Sequence, residues 1–193
     1  DGRTHLMIEP AGEFNGHPFI RNAFLTPKIR IGLLSQVMKG LKVIHDHGCI
    51  HRDLKWGNTM INQDGSLKII DYGTLSAQPN PSSPQLQKLR EDNLAEISKS
   101  VVTTWSIFER SVLGRELFDR MKSDSEFLPQ YDYIAVFQMA KDVVDADIMA
   151  GNLPSNSPLY RIRDIAERGI RASALGAVDL YYRELKKLVD RNS

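Results

Sequence analysis

The chain has 193 residues, of which 41% are hydrophobic and 25% are charged, with a formal net charge of +1 and a single cysteine. This is the composition of one globular domain; the near-neutral charge gives no basis for binding nucleic acid, and one cysteine excludes an internal disulfide framework. No apolar run approaches the roughly 18 residues that a membrane-spanning helix needs, and no signal peptide is visible, so we expect no membrane segment and an intracellular, cytoplasmic location.

The first part of the chain predicts a strand, a loop and a long helix. Residues 4–10 are a short apolar run, and residues 11–18, with two glycines and a proline, have the composition of a loop. A helix is predicted over residues 27–47, because Thr26 can cap it, Pro27 suits its first position and apolar residues recur at spacings of three and four.

Beyond this helix the pattern predicts a hairpin, a loop and then helices. Two short β-type runs joined by Asp64-Gly65 predict an antiparallel hairpin over residues 58–70. The proline-rich residues 76–87 predict a loop, and from Glu91 onward apolar residues recur at helical spacing through Phe108. Further helices are predicted over residues 113–122, 132–149, 159–171 and 176–191, with a linker over 151–158.

The stretch IHRDLKWGNTMI, residues 50–61, concentrates charged side chains beside the predicted hairpin. The pattern H-R-D-L-x-x-x-N is matched by His51, Arg52, Asp53, Leu54 and Asn58, and Asp71-Tyr72-Gly73 follows the hairpin where D-F-G is found in protein kinases. Phosphoryl transfer needs a carboxylate that orients and deprotonates the incoming hydroxyl group, and oxygen ligands for Mg²⁺. The hairpin would bring Asn58 and Asp71, which lie at its two ends, together at one edge of the fold.

The chain therefore resembles the larger, C-terminal lobe of a eukaryotic-type protein kinase. The resemblance implies a mainly α fold, a helical bundle with a small β-hairpin that carries the catalytic loop and the D-Y-G triplet. Its motifs are specific over residues 5–110, and beyond 110 only the helical pattern supports it. We expect a hinge strand and loop over 1–13 and the lobe over 14–193, with a catalytic core over 26–110 and a helical remainder over 111–193.

Roles follow from the resemblance by position. It implies that Asp53 is the catalytic base, that Lys55 contacts the γ-phosphate of ATP, and that Asn58 and Asp71 bind Mg²⁺. A lysine two residues after the catalytic aspartate resembles Ser/Thr kinases more than tyrosine kinases. His51 would be a structural residue rather than a base or a metal ligand.

The resemblance also assigns the adenine side of the site and a supporting carboxylate. Ile8 would be the gatekeeper, the backbones of Glu9 and Ala11 would face adenine, and Glu13 would lie near the ribose. Asp92 resembles the buried aspartate that holds the catalytic-loop backbone, and as an N-cap it could serve both purposes.

Besides Tyr72 in place of phenylalanine and Trp56 in place of a common proline, which still offer an aromatic body for packing, two larger features depart from the family pattern. The chain has no G-x-G-x-x-G loop and no V-A-I-K lysine, so we expect the small N-terminal lobe to come from residues preceding Asp1 or from another chain. It also has no A-P-E triplet, and about 20 residues separate Asp71 from Asp92. This suggests a truncated activation segment that does not depend on phosphorylation, as in some bacterial effector kinases, whose location would be the host cytosol.

The expected function is that of a Ser/Thr protein kinase, with ATP and Mg²⁺ as cofactors and a protein hydroxyl as the acceptor. One alternative is a small-molecule phosphotransferase of related fold, such as an aminoglycoside or choline kinase, which also lacks A-P-E. Another is a non-catalytic pseudokinase or binding module. Arg52 and Lys55 favour a protein kinase over the first alternative, and the complete set of acidic and amide groups argues against the second.

Overall fold

The computed structural model describes residues 12–78, 83–89, 129–149, 151, 153–172 and 175–193. The predicted strand over 4–10 and the helical segments predicted over 91–108 and 113–122 lie outside the described residues. What is described is mainly helical, as the sequence predicts.

Five helices are bounded within the described residues. They are α1 (Gly16–Ile20), α2 (Pro27–Asp46), α3 (Gln130–Met149), α4 (Pro158–Ile170) and α5 (Leu175–Asn192). Residues 84–89 are also helical. The four long helices agree with their predicted spans to within two residues at each end, and none of the described helices is long and apolar enough to cross a membrane.

Helix α2 forms where its sequence signals lie. The Thr26 hydroxyl accepts a hydrogen bond from the backbone N–H of Ile29 at 3.3 Å, and Pro27 occupies the first position. Gly48, just past the C-terminal end, has a φ of 74°, a left-handed conformation that glycine adopts without a Cβ penalty. The buried face of the helix packs into the core through Leu33, Leu34, Val37, Met38 and Leu41.

Within the part of the chain that the structure describes, five short strands form two small antiparallel sheets. The strands are β1 (Phe14–Asn15), β2 (Cys49–Ile50), β3 (Thr59–Ile61), β4 (Leu67–Ile69) and β5 (Ser76–Ala77). The larger sheet has the order β1-β3-β4, and β2 pairs with β5. The predicted hairpin is confirmed, with Thr59 opposite Ile69 and Ile61 opposite Leu67, and Gly65 has a φ of 80° in its turn.

Two segments that the sequence predicts as loops contain regular structure, which corrects those predictions. Residues 14–20 form β1 and α1, because Asn15 caps the helix by accepting from the His17 N–H at 3.0 Å and donates from Nδ2 to the Gly57 carbonyl at 2.8 Å. A Cβ on Gly16 would lie 2.0 Å from Thr59 Oγ1, so the close approach of α1 to β3 requires glycine. Residues 76–77 form β5 through pairing with β2.

A buried ion pair connects the first turn of α2 to the C-terminal end of α3. Arg30 and Asp147 are both fully buried and form a salt bridge. The guanidinium of Arg30 also donates to the backbone carbonyls of Ile20, Asn22 and Leu25. Burial raises the pKa of Asp147, and the charge of Arg30 opposes that rise. Because both charges lie in the interior, removing either one would leave an uncompensated charge there.

Candidate active site

The segment between β2 and β3 carries the H-R-D-L-x-x-x-N pattern through the interior of the fold. His51, Arg52, Asp53 and Leu54 are all buried. Arg52 has a φ of 71°, in the left-handed region that residues with a Cβ adopt only when their surroundings hold them there. Burial lowers the pKa of the Arg52 side chain, while the charge of Asp132 raises it.

The Asp53 carboxylate is held by two side chains from its own loop. Lys55 Nζ donates to Asp53 Oδ2 at 2.7 Å, and Asn58 Nδ2 donates to the same oxygen at 3.0 Å. Asn58 Nδ2 also donates to the Asp53 carbonyl at 2.8 Å, which closes the loop on itself. The structure therefore brings together three predicted site residues, Asp53, Lys55 and Asn58, around one carboxylate.

Asn58 and Asp71 lie at the same end of the β3–β4 hairpin. The Ile70 N–H donates to the Asn58 carbonyl at 2.9 Å, and Asp71 is the next residue. Since Asn58 Nδ2 is engaged with Asp53, its Oδ1 is the atom that can ligate a cation. Asp71 is exposed, with a left-handed φ of 62°. One carboxylate and one amide oxygen suit Mg²⁺, which binds few protein ligands and takes the others from water and phosphate.

The carboxylate that holds the loop backbone is Asp132, in the first turn of α3. Its Oδ2 accepts from the His51 N–H at 2.8 Å, and its Oδ1 accepts from the Arg52 N–H at 2.8 Å. His45 Nε2, at the C-terminal end of α2, lies 2.8 Å from Oδ2. This corrects the expectation that Asp92, which lies outside the described residues, has this role.

The correction also changes the expected length of the activation segment. Asp132 follows Asp71 by about 60 residues, three times the spacing that suggested truncation. A segment of this length has room for a phosphorylation switch, so the expectation that activity does not depend on phosphorylation no longer follows from chain length. Sequence reasoning missed Asp132 because both aspartates begin a predicted helical run, and nothing local distinguishes them.

His51 connects the D-Y-G triplet to the loop that carries Asp53. Its Nε2 lies 3.2 Å from the Ile70 carbonyl oxygen, and its ring is 5.6 Å from the ring of Tyr72. The Thr74 hydroxyl donates to the His51 carbonyl at 2.9 Å. These contacts fix the segment that contains Asp71 relative to Asp53.

Trp56 fastens the other end of the loop to α3, a role that the sequence did not indicate. Its side chain is 1% exposed, and its indole Nε1 donates to the Met139 carbonyl at 3.0 Å. The indole therefore buries a large apolar surface and satisfies its one donor. An aromatic residue inside a charged loop was the available signal, but its partner lies 83 positions away in the chain.

A cavity of about 350 Å³ opens beside Lys55. One wall comes from the catalytic loop, including Trp56, and another from α3, including Gln138 and Asp142. Burial raises the pKa of Asp142, a rise that a hydrogen bond from Gln138 Nε2 at 2.9 Å partly opposes. The cavity therefore places a carboxylate and an amide next to the residues that surround Asp53.

Of the predicted adenine-side residues, only Glu13 is described. Ile8, Glu9 and Ala11 lie outside the described residues. The Glu13 N–H donates to the Ile61 carbonyl at 3.2 Å, and its carboxylate accepts from Gln63 Nε2 at 2.7 Å. Glu13 is thus exposed beside the hairpin turn.

Comparisons with known proteins agree with these motifs. Residues 3–105 match the sequence profile of the family described as "Protein kinase domain". The chain is 32% identical over 179 residues to "Mitogen-activated protein kinase mpkC" of Emericella nidulans, which covers 87% of this chain and 40% of that protein. It is 32% identical over 123 residues to "Cyclin-dependent kinase 11" of Dictyostelium discoideum, which covers 61% of this chain and 31% of that protein. The chain thus spans less than half the length of these relatives.

Proposed function

The chain belongs to the protein kinase domain family, and from that premise we propose that it is the catalytic lobe of a Ser/Thr protein kinase. Its reaction is the Mg²⁺-dependent transfer of the γ-phosphoryl group of ATP to a protein hydroxyl. The observation that carries the proposal is the Asp53 carboxylate, which is held by Lys55 and Asn58 on a backbone that Asp132 anchors. A mere solvated turn would not need this degree of support.

Asp53 acts on the acceptor hydroxyl. Its carboxylate orients the hydroxyl and receives its proton while the hydroxyl oxygen bonds to the γ-phosphorus and the bond from phosphorus to the β–γ bridging oxygen breaks. Lys55, which forms a salt bridge with the same carboxylate, supplies a positive charge beside the transferred phosphoryl group. The acceptor is assigned as Ser or Thr because of Lys55, which resembles the lysine of Ser/Thr kinases.

ATP and its metal ion would be bound partly by residues that the structure describes and partly by residues that it does not. Asn58 Oδ1 and the Asp71 carboxylate would hold Mg²⁺, which neutralises charge on the β- and γ-phosphates when bound. The adenine contacts remain assigned to Ile8, Glu9 and Ala11. The rest of the cleft would come from an N-terminal lobe, supplied by residues preceding Asp1 or by another chain.

A protein acceptor is favoured over a small alcohol by Lys55 and by the relatives of the chain, whose names are those of protein kinases. The cavity beside Lys55, with a volume of about 350 Å³ and a wall that includes Asp142 of α3, would receive a side chain flanking the phosphorylated residue.

The test uses the full-length protein with [γ-³²P]ATP and Mg²⁺. One reaction contains a degenerate library of Ser- and Thr-containing peptides, and parallel reactions contain choline or an aminoglycoside. We expect label on the peptides and none with Asp53→Asn. Label on choline or the aminoglycoside alone would favour the small-molecule phosphotransferase, and the absence of both transfer and ATP binding would favour the non-catalytic module.

A further inference from the structure

Two tyrosines from helices far apart in the sequence stack beside Asp132, the carboxylate that holds the backbone of the loop carrying Asp53. Tyr133, in the first turn of α3, and Tyr182, in α5, have ring centroids 3.8 Å apart and an interplanar angle of 16°. Tyr133 also contacts the His45 ring, with centroids 5.4 Å apart. Helix α5 is thus connected to the end of α2 through Tyr133, whose ring stacks on Tyr182 and also contacts the ring of His45.

His45 continues this line of contacts to the catalytic loop. Its Nε2 lies 2.8 Å from Asp132 Oδ2, and Asp132 accepts from the backbone N–H of Arg52, the residue before Asp53. Each step is a direct contact, so the position of the Tyr182 ring bears on the carboxylate that fixes the left-handed backbone at Arg52.

The stack has open space on one side. A cavity of about 310 Å³ is lined by residues of α2, α3 and α5, including Met38, Tyr133, Tyr182 and Lys186. Burial raises the pKa of Tyr182, and the nearby Tyr133 and Asp132 raise it further, so the phenol stays neutral. Removal of the Tyr182 ring would enlarge this space and take away the ring that packs on the face of Tyr133.

We propose that Tyr182 is a positioning residue for the catalytic loop, acting through Tyr133, His45 and Asp132. The effect on rate rests on the proposed kinase function, but the effect on the loop backbone does not. Stacked aromatic pairs contribute a modest free energy, which corresponds to a change of about two- to tenfold in the equilibrium constant between the held and the released loop. Loss of the ring should therefore lower kcat by no more than that factor and leave KM for ATP unchanged.

The experiment compares four forms of the full-length protein. Tyr182→Leu removes the ring, and Tyr182→Phe keeps it. Tyr181→Leu is the matched control, because Tyr181 is the adjacent tyrosine of α5 and is partly buried like Tyr182, but its ring contacts Arg168 instead. The measurements are kcat, KM for ATP, and amide hydrogen exchange of the peptide that covers residues 50–54.

We expect Tyr182→Leu to lower kcat and to speed exchange in this peptide about two- to tenfold, and Tyr182→Phe to restore both. Tyr181→Leu should change neither. The proposal is overturned if Tyr182→Leu leaves exchange unchanged, or if Tyr181→Leu alters kcat and exchange equally. A wild-type protein that transfers no phosphate would refute the kinase function, while exchange would still decide the positioning role. Should Tyr182→Leu not fold, Tyr182→Met, which fills the volume without an aromatic face, takes its place.

Discussion

Asp132 Oδ1 accepts a hydrogen bond from the backbone N–H of Arg52 at 2.8 Å, across 80 positions of the chain. This bond, with the one from the His51 N–H to Oδ2, joins the first turn of α3 to the loop that carries Asp53. A helix supported by the core thereby sets the conformation of a residue whose φ is 71°. The candidate active site is thus held by long-range contacts rather than by the loop alone.

Replacement of Asp132 by alanine should destabilise the fold and the site together. Two buried N–H groups would lose their acceptor, at a cost of about 1–3 kcal/mol each. Urea unfolding measures the free energy, and phosphoryl transfer should fall in the fraction that remains folded. The control is Asp164→Ala, which removes an exposed carboxylate paired with Arg168 and should change the free energy by less than about 0.5 kcal/mol. Equal effects of the two variants would contradict the anchoring role.

Replacement of Asp53 by alanine should abolish phosphoryl transfer with little loss of secondary structure. In the proposed mechanism the carboxylate both orients the acceptor hydroxyl and takes its proton, a contribution of about 10²-fold or more. Initial rates for the full-length protein measure the loss, and circular dichroism checks the fold. A variant that keeps a tenth or more of the wild-type rate would rule out Asp53 as the base.

Replacement of Asp71 by alanine should weaken nucleotide binding more in the presence of Mg²⁺ than in its absence. In the proposed role the exposed carboxylate at the end of the hairpin is a hard oxygen ligand of Mg²⁺, so its loss would act through the metal. Calorimetric titration of the full-length protein with ATP, with and without Mg²⁺, gives the two affinities. Identical losses in both titrations would show that Asp71 does not bind the metal.

Replacement of Gly16 by alanine should destabilise the protein by about 1–3 kcal/mol. Its Cβ would lie 2.0 Å from Thr59 Oγ1 and 2.7 Å from the Trp56 carbonyl, so α1 would have to move away from the loop. The matched control is Gly32→Ala in α2, where a Cβ meets nothing within 4 Å. There alanine should stabilise the helix by about 0.5–1 kcal/mol. Thermal unfolding of both variants tests the pair, and the same sign for both would be inconsistent with the packing of α1.

The pH dependence of stability should change in opposite directions at two carboxylates. Burial raises the pKa of Asp142, so the protonated form is favoured in the fold; its contribution is present below roughly pH 4 and is lost as pH rises through the raised pKa. Asp142→Asn should therefore gain stability relative to wild type on going from about pH 4 to pH 7. Hydrogen bonds from Ser66 lower the pKa of Asp64, so its contribution is present above roughly pH 4 and is lost as pH falls through the lowered pKa. Asp64→Asn should therefore lose stability relative to wild type on going from about pH 3 to pH 5. Urea unfolding at the two ends of each interval measures the differences, and shifts of the same sign would contradict these assignments.

The sequence alone determined the parts of the protein that rest on local chemistry. The span of α2 could be predicted because Thr26, Pro27 and Gly48 are adjacent to the bonds and conformations they control. The hairpin followed from its turn residues, and the candidate site followed from the fixed spacing of Asp53 and Asn58 within one loop. In each case the interacting groups are a few residues apart, so their relative positions can be predicted from the local sequence pattern.

Only the tertiary structure decided which distant residues support that site. Asp92 and Asp132 have the same local character, and the choice between them depends on which carboxylate the folded chain brings to the N–H groups of His51 and Arg52. Likewise β1 has two residues and no strand pattern of its own, and it exists because β3 supplies its hydrogen-bonding partner. A partner some 80 positions away leaves no periodicity in the sequence, because its contribution is set by the packing of helices and not by neighbours along the chain.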